Sequence, residues 1–283
     1  MSITKVTVLG LGVLGTQIAF QAAYCGFRVT GYDMNPEALD RGRKNVERIA
    51  ARYPTAVEGA TSAMIDKAFA NLTYTTDLVK AAQADLIIEA IPEKLDLKRK
   101  VYSELGSVAP PATIFATNSS TLLPSDMADA TGRPDRFLAL HFANEIWSHN
   151  VAEVMGHPGT SPEVFREVVD FARAICMEPV ELHKERAGYV INSLLVPFLQ
   201  AAAELLVDGI AEPEAIDRTW RIATGAPKGP FEIYDSVGLA TAYNISLAGG
   251  PKQQQFARLL KEEYIDKGKL GIATKAGFYT YPR

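Results

Sequence analysis

Cysteine is nearly absent from these 283 residues, which hold only Cys25 and Cys176. The two are far apart in the chain and form no CxxC pair, so neither a disulfide framework nor a cysteine metal site is expected, and no metal is assigned. They read instead as two buried thiols of a cytosolic protein. An excess of positive charge is also missing, because 29 Lys and Arg stand against 33 Asp and Glu, for a net charge of −4. That balance argues against a nucleic-acid partner. Long hydrophobic runs are missing as well. The most apolar stretch, 187–207, is interrupted by Asn192, Ser193, Gln200 and Glu204, which excludes a membrane span. Near the start, glycines break the run 6–14, so no secretory signal is expected and the chain is placed in the cytoplasm. What the chain has is length for about two domains and 47% hydrophobic residues, enough for a large core.

The most specific local pattern opens the chain. Val6-Thr7-Val8-Leu9 reads as a strand and runs into Gly10-Leu11-Gly12-Val13-Leu14-Gly15, followed by a helix over 17–24 and a second strand over 28–32 that ends at Asp33. In such a unit Gly10 turns the chain sharply, Gly12 lets a pyrophosphate approach the backbone, and Gly15 lets the helix pack close to the sheet. The helix N-terminus at Val13 and Leu14 then offers N–H groups to the phosphates. Asp33 is placed to accept hydrogen bonds from ribose hydroxyls. Its negative charge would repel a 2′-phosphate, and Met34-Asn35 supply no cation, so NAD(H) is expected rather than NADP(H).

Strands and helices go on alternating. Short apolar runs at 72–74, 86–90, 113–116 and 137–140 suit a sheet covered on both faces, and 152–155 and 179–182 are candidates to extend it. Helices are expected over 40–52, 61–70, 93–105 and 162–175. After Lys184 the chain turns Ala- and Leu-rich, with helices expected over 190–207, 213–224, 230–247 and 252–267, several opening on proline. The fold class is therefore α/β, a Rossmann-type, doubly wound, mostly parallel sheet over 1–185, followed by an all-helical C-terminal domain over 186–283. The helix from Tyr189 to Val207 is apolar nearly all round, so it should be buried on most faces, with a homodimer interface as the expected cover.

Three polar features carry chemistry. Asn118-Ser119-Ser120-Thr121 follows a strand at its carboxyl end, where open α/β sheets bind ligands. His141 ends the strand 137–140, with Asn144 three residues later. Glu153 lies inside the run Val151-Ala152-Glu153-Val154-Met155, where an unpartnered carboxylate is costly. A His141–Glu153 pair would suit a dehydrogenase: an imidazole exchanges a proton with an alcohol while a carboxylate fixes the other ring nitrogen. A structural histidine at a strand end and an edge glutamate fit the same residues.

Taken in order, these segments resemble the 3-hydroxyacyl-CoA dehydrogenase family. They are Gly10–Gly15 with Asp33, 89–93, Thr117-Asn118-Ser119-Ser120, Leu140-His141-Phe142-x-Asn144, Glu153, 188–197, 229–232 and Gly277-Phe278-Tyr279. Through 138–144 and 225–231 the chain is similar to the bacterial branch that includes a diketoreductase. The resemblance implies an enzyme that interconverts a 3-hydroxy and a 3-keto carbonyl compound with NAD(H), a chemistry of fatty acid metabolism. It makes His141 the catalytic base, Glu153 its orienting carboxylate, and Ser120 and Asn192 the groups that hold the reacting oxygen. Asn144 would line the substrate pocket and Glu93 the cofactor cleft; Asn118 is expected in that cleft too, and Trp147, where the chain departs from the family, in the substrate pocket.

One departure bears on the substrate. Where a family member typically continues His-Phe-Phe-Asn-Pro-Val-Pro, this chain has His141-Phe142-Ala143-Asn144-Glu145-Ile146-Trp147, and Lys228 replaces a common methionine before Gly-Pro-Phe. Both a CoA thioester and a CoA-free β-keto or diketo ester remain open. Arg41, Arg43, Lys44, Arg48 and Arg52 would suit a CoA phosphate, or simply form a solvated helical face. Two other readings stand beside the enzyme: a crystallin-like protein that binds NAD(H) without turnover, and a β-hydroxyacid dehydrogenase. The second requires a lysine on the helix that here carries Asn192, and none occurs between Gly188 and Leu206.

Overall fold

The computed structural model describes residues 3–282. The chain divides into two compact units, Met1–Tyr189 and Val190–Arg283. The first contains strands β1 (Lys5–Leu9), β2 (Arg28–Tyr32), β3 (Leu72–Thr75), β4 (Leu86–Glu89), β5 (Ile114–Thr117), β6 (Phe137–Phe142), β7 (Val151–Gly156) and β8 (Glu178–Leu182). Its helices are α1 (Val13–Tyr24), α2 (Pro36–Ala50), α3 (Tyr53–Ala56), α4 (Ser62–Ala70), α5 (Leu78–Ala81), α6 (Leu95–Val108) and α7 (Pro162–Ala174).

The eight strands form one sheet in the order β3-β2-β1-β4-β5-β6-β7-β8. Every neighbouring pair is parallel except β6 and β7. The order reverses between β1 and β4, so their carboxyl ends open the crevice in which such sheets bind ligands. β4, β5 and β6 are buried along their whole length, which is why they read as apolar runs rather than alternating ones. Their side chains still alternate between faces. Leu86, Ile88, Ile114, Ala116, Leu138 and Leu140 join one core cluster, while Ile87, Phe115 and Phe137 join another with Tyr102 of α6.

Local chemistry sets many helix starts. Asn35 caps α2 by accepting from the Ala38 N–H at 2.8 Å, and Pro36 fills its first turn. α2 therefore begins four residues earlier than the pattern from Asp40 suggests. α6 starts at Leu95, later than expected from Glu93, because Glu93 turns its carboxylate to a neighbouring loop.

The second unit is helical: α8 (Ile191–Val207), α9 (Pro213–Thr224), α10 (Pro230–Val237), α11 (Leu239–Leu247) and α12 (Pro251–Glu263). Three expectations for the stretch from Tyr189 onward are modified. The single helix over 230–247 is two, because Gly238 at φ 95° breaks it. Tyr189 is not helical, since it and Gly188 take left-handed φ angles of 48° and 82°. α8 is also less covered than its composition suggests, with Leu194 69% exposed and only Leu199, Ala202 and Ala203 buried.

Two motifs of this unit wrap buried carboxylates. Asp217 accepts from the N–H groups of Phe231 and Glu232 at 2.9 and 3.0 Å, capping the start of α10. Asp235 accepts from the N–H groups of Phe278 and Tyr279, both at 2.9 Å. A Cβ on Gly277 would lie 1.9 Å from the Asp235 carboxylate. The Gly-Pro-Phe-Glu and Gly-Phe-Tyr segments thus serve the folding of this unit.

The cysteines correct a further expectation. Cys176 is exposed and Cys25 half-buried, and their sulfurs lie 3.7 Å apart. Burial, together with the neighbouring Cys176, pushes the Cys25 thiol up to about 12. Two helix ends bring them together, Cys25 capping α1 and Cys176 following α7, with the Gln21 amide bonded to the Ile175 carbonyl at 2.9 Å. Among the described residues, no helix is long and apolar enough to cross a membrane, and no group of His, Cys, Asp and Glu could hold a metal.

Candidate active site

The glycine turn lies between β1 and α1. Gly10 takes φ 87°, and a Cβ there would lie 2.7 Å from the Ala90 carbonyl. A Cβ on Gly15 would strike the Gly10 carbonyl at 1.8 Å, so the helix packs as close as the backbone allows. Gly12 is different, with nothing within 4 Å of a Cβ, which leaves open space over the start of α1. Asp33, at the end of β2, reaches back to this turn. Its Oδ2 accepts from the Leu11 N–H at 3.0 Å and its Oδ1 from the Met34 N–H at 2.8 Å. Open space over a helix N-terminus, beside a carboxylate, fits a dinucleotide's phosphates and ribose.

Four strands away, β6 and β7 meet in antiparallel register with His141 directly opposite Glu153. The two side chains share one face, and His141 Nδ1 lies 2.8 Å from Glu153 Oε2. Both are buried, Glu153 completely. On its other side, His141 Nε2 lies 3.1 Å from Ser120 Oγ. With Nδ1–H directed to the carboxylate, the neutral ring presents Nε2 as its acceptor.

Ser120 belongs to a loop that is held from behind. Glu93 accepts from Ser119 Oγ at 2.5 Å, from Thr121 Oγ1 at 2.8 Å and from the Thr121 N–H at 2.9 Å. Partial burial opposes the charged form of Glu93, but these hydrogen bonds and the Lys98 charge outweigh it and hold the carboxyl down at about 2. Asn118 ties the same loop to β6 by accepting from the Phe142 N–H at 3.0 Å.

Lys98 and Glu89 carry further weight that sequence reasoning missed. Lys98, only 1% exposed, donates to Glu89 Oε1 at 2.5 Å and lies 3.3 Å from Glu93 Oε2. Glu89 also accepts from Thr117 Oγ1 at 2.8 Å, the Tyr102 hydroxyl at 3.1 Å and the Ile91 N–H at 2.9 Å. A buried charge satisfied on every side is a fixed point. The signal was present in the sequence, because Glu89 ends an apolar strand just as Glu153 interrupts one. Tyr189 was missed as well. Its ring stacks on His141 with centroids 4.4 Å apart and planes 10° apart.

Not every candidate gathers here. Trp147 packs on Tyr53 with ring centroids 5.8 Å apart, and the Arg52 guanidinium lies 5.7 Å over it. Arg52 also meets Glu145 Oε1 at 3.3 Å. Glu145 takes φ 59°, an angle closed to the proline that the family carries at this place. Its N–H is held by Gln17 Oε1 at 2.7 Å, so the loop after His141 is anchored to α1. Asn144 is exposed on that loop, and Asn192 lies in the first turn of α8, in the second unit.

Residues 5–186 match the family "3-hydroxyacyl-CoA dehydrogenase, NAD binding domain" and residues 188–281 match "3-hydroxyacyl-CoA dehydrogenase, C-terminal domain". The chain belongs to the 3-hydroxyacyl-CoA dehydrogenase family. It is 36% identical to the mitochondrial hydroxyacyl-coenzyme A dehydrogenase of Rattus norvegicus, covering 99% of this chain and 91% of that one. It is 33% identical to a probable 3-hydroxybutyryl-CoA dehydrogenase of Bacillus subtilis, covering 99% and 98%. Among solved structures, a diketoreductase described as acting on dicarbonyl compounds matches at 64% identity with a TM-score of 0.96, covering 99% and 100%. As a member of this family the protein is an NAD-dependent oxidoreductase.

Proposed function

We propose that the protein interconverts a 3-hydroxy and a 3-keto carbonyl compound, with His141 as acid and base and Glu153 as its orienting partner. The observation that carries this reading is the continuous chain Ser120 Oγ, His141 Nε2, His141 Nδ1, Glu153 Oε2, with links of 3.1 and 2.8 Å. NAD, when bound, supplies or accepts the hydride at the substrate carbon. The chain's own residues handle the oxygen and its proton. In reduction, protonated His141 donates from Nε2 to the oxygen as negative charge builds on it, and Glu153 stabilises the imidazolium before transfer. Ser120 holds that oxygen by a hydrogen bond. In oxidation His141 takes the hydroxyl proton. Asp33 and the turn through Gly10, Gly12, Val13, Leu14 and Gly15 bind the dinucleotide, while Glu93 and Asn118 shape the loop beside it. A protein that only stores NAD(H) has no use for a buried His–Glu pair behind a serine.

The favoured substrate is a β-dicarbonyl compound free of CoA. Support comes from the similarity to a diketoreductase at 64% identity, and from the loop after His141, where Glu145 neutralises Arg52. Asn144 would line the pocket, with Trp147 behind the loop. The test compares kcat/KM for acetoacetyl-CoA with that for a β,δ-diketo ester. A higher value for the ester is expected, and a higher value for the thioester would reverse the choice.

We also propose a homodimer. Leu194 and Leu205 of α8 and Trp220 and Ile222 of α9 are exposed apolar side chains of the second unit. Light scattering at the mass of one chain would refute it.

A further inference from the structure

Tyr189 is the last residue of the first unit and is 1% exposed. Left-handed angles at Gly188 and Tyr189 in succession swing its ring beneath the His141 imidazole. A bulky residue at positive φ is a local cost that persists only where the surroundings hold it. Several contacts do so. The ring lies in a small cluster with Ala139 and Met155, flanked by Leu123 and Leu182. The Tyr189 hydroxyl donates to the Ser119 carbonyl at 2.8 Å, and the Gly188 N–H donates to the Ser120 carbonyl at 3.1 Å.

The loop carrying Ser120 is therefore gripped from two directions. Glu93 takes the hydroxyls of Ser119 and Thr121 and the Thr121 N–H, and residues 188–189 take the carbonyls of Ser119 and Ser120. Tyr189 touches His141 and the residue that precedes Ser120. Its ring lies against the imidazole and its hydroxyl on the backbone next to Ser120. We infer that Tyr189 is a positioning residue for the reaction, fixing the imidazole plane with its ring and the Ser120 loop with its hydroxyl so that Nε2 and Oγ converge on one substrate oxygen.

This inference rests on the reading of His141 as acid and base, and the two fail differently. Burial, followed by the nearby carboxylates of Glu153, Glu93, Glu89 and Glu185, pushes the Tyr189 hydroxyl well up, so it stays a neutral donor through the working range. Its contribution is geometric, and displacing catalytic groups by about 1 Å costs on the order of 100-fold in rate.

The experiment compares wild type, Tyr189→Phe, Tyr189→Leu and His141→Ala at saturating NADH. Reduction kinetics are read alongside the NADH Kd from fluorescence and the melting temperature. Tyr189→Leu, which loses both contacts, should lower kcat about 100-fold with the NADH Kd unchanged. Tyr189→Phe keeps the stack and loses one hydrogen bond, so it should recover most of that loss and stay about threefold to tenfold below wild type. Wild-type kcat per folded site in Tyr189→Leu, with His141→Ala inactive, overturns the positioning role. Activity retained by His141→Ala overturns the reading beneath it. If the leucine variant does not fold, the phenylalanine variant decides alone, and a kcat equal to wild type overturns the role.

Discussion

His141 Nδ1 stands 2.8 Å from Glu153 Oε2 because the two residues are direct partners in the antiparallel pairing of β6 with β7. In a sheet that is otherwise parallel, this reversed junction of consecutive strands brings a histidine and a carboxylate onto one face at one level. The rigidity of the pair is thus the rigidity of the ladder. Glu153→Gln should keep the fold and lower kcat by about 100-fold or more, because the ring loses the charge that stabilises its protonated form. His141→Ala should abolish turnover with little change in NADH affinity. Steady-state kinetics with fluorescence titration of NADH checks both, and a parallel loss of NADH binding would move His141 out of its assigned role.

Asp33 holds the glycine turn and is proposed to bind the ribose as well. Its carboxylate already holds the Leu11 N–H, and a carboxylate has lone pairs to spare for ribose hydroxyls. Asp33→Ala should raise the KM for NADH about tenfold or more with a smaller effect on kcat. A KM equal to wild type would take Asp33 off the ribose.

Glu93 links stability to pH. Its carboxyl lies at about 2 in the folded protein, below the ordinary value of 4.5, so its contribution is complete above that ordinary value and is lost as pH falls toward 2. Glu93→Gln should therefore melt lower than wild type at neutral pH, and the difference should shrink steadily in acid. A gap that stays constant down to the acid limit would mean that Glu93 is not held as an ion. Because Glu93 anchors the residues flanking Ser120, the same variant should also lower kcat.

The two thiols should react in order. Cys176 is exposed, whereas Cys25 is half-buried and its thiol is pushed up to about 12. Labelling with a maleimide at neutral pH should modify Cys176 first and Cys25 only after a long lag, read by peptide mass spectrometry. Faster labelling of Cys25 would contradict the burial described above.

Gly277 should not tolerate a side chain. A methyl group there would lie 1.9 Å from the Asp235 carboxylate, which ties down the N–H groups of Phe278 and Tyr279. Gly277→Ala should cost about 1–3 kcal/mol and lower the melting temperature by several degrees. A wild-type melting curve would show that the segment can move aside.

Much of this molecule follows from short stretches of chain. The turn through Gly10, Gly12 and Gly15, the acid at 33, the fully covered strands and the proline-led helices each depend on residues a few positions apart, so their physics is visible locally. Sequence also marks Glu153 as a carboxylate in need of a partner, since burying it alone is costly. What it leaves open depends on register and contact across long separations. The antiparallel pairing supplies the register that puts the expected partners His141 and Glu153 face to face, and only packing turns Glu89, Glu93 and Lys98 into the support of the Ser120 loop. Cys25 and Cys176 meet because two helices end side by side, which no local pattern encodes. Tyr189 reads as the start of an apolar helix, yet two left-handed residues swing it under the histidine, because the surrounding contacts outweigh its local preference.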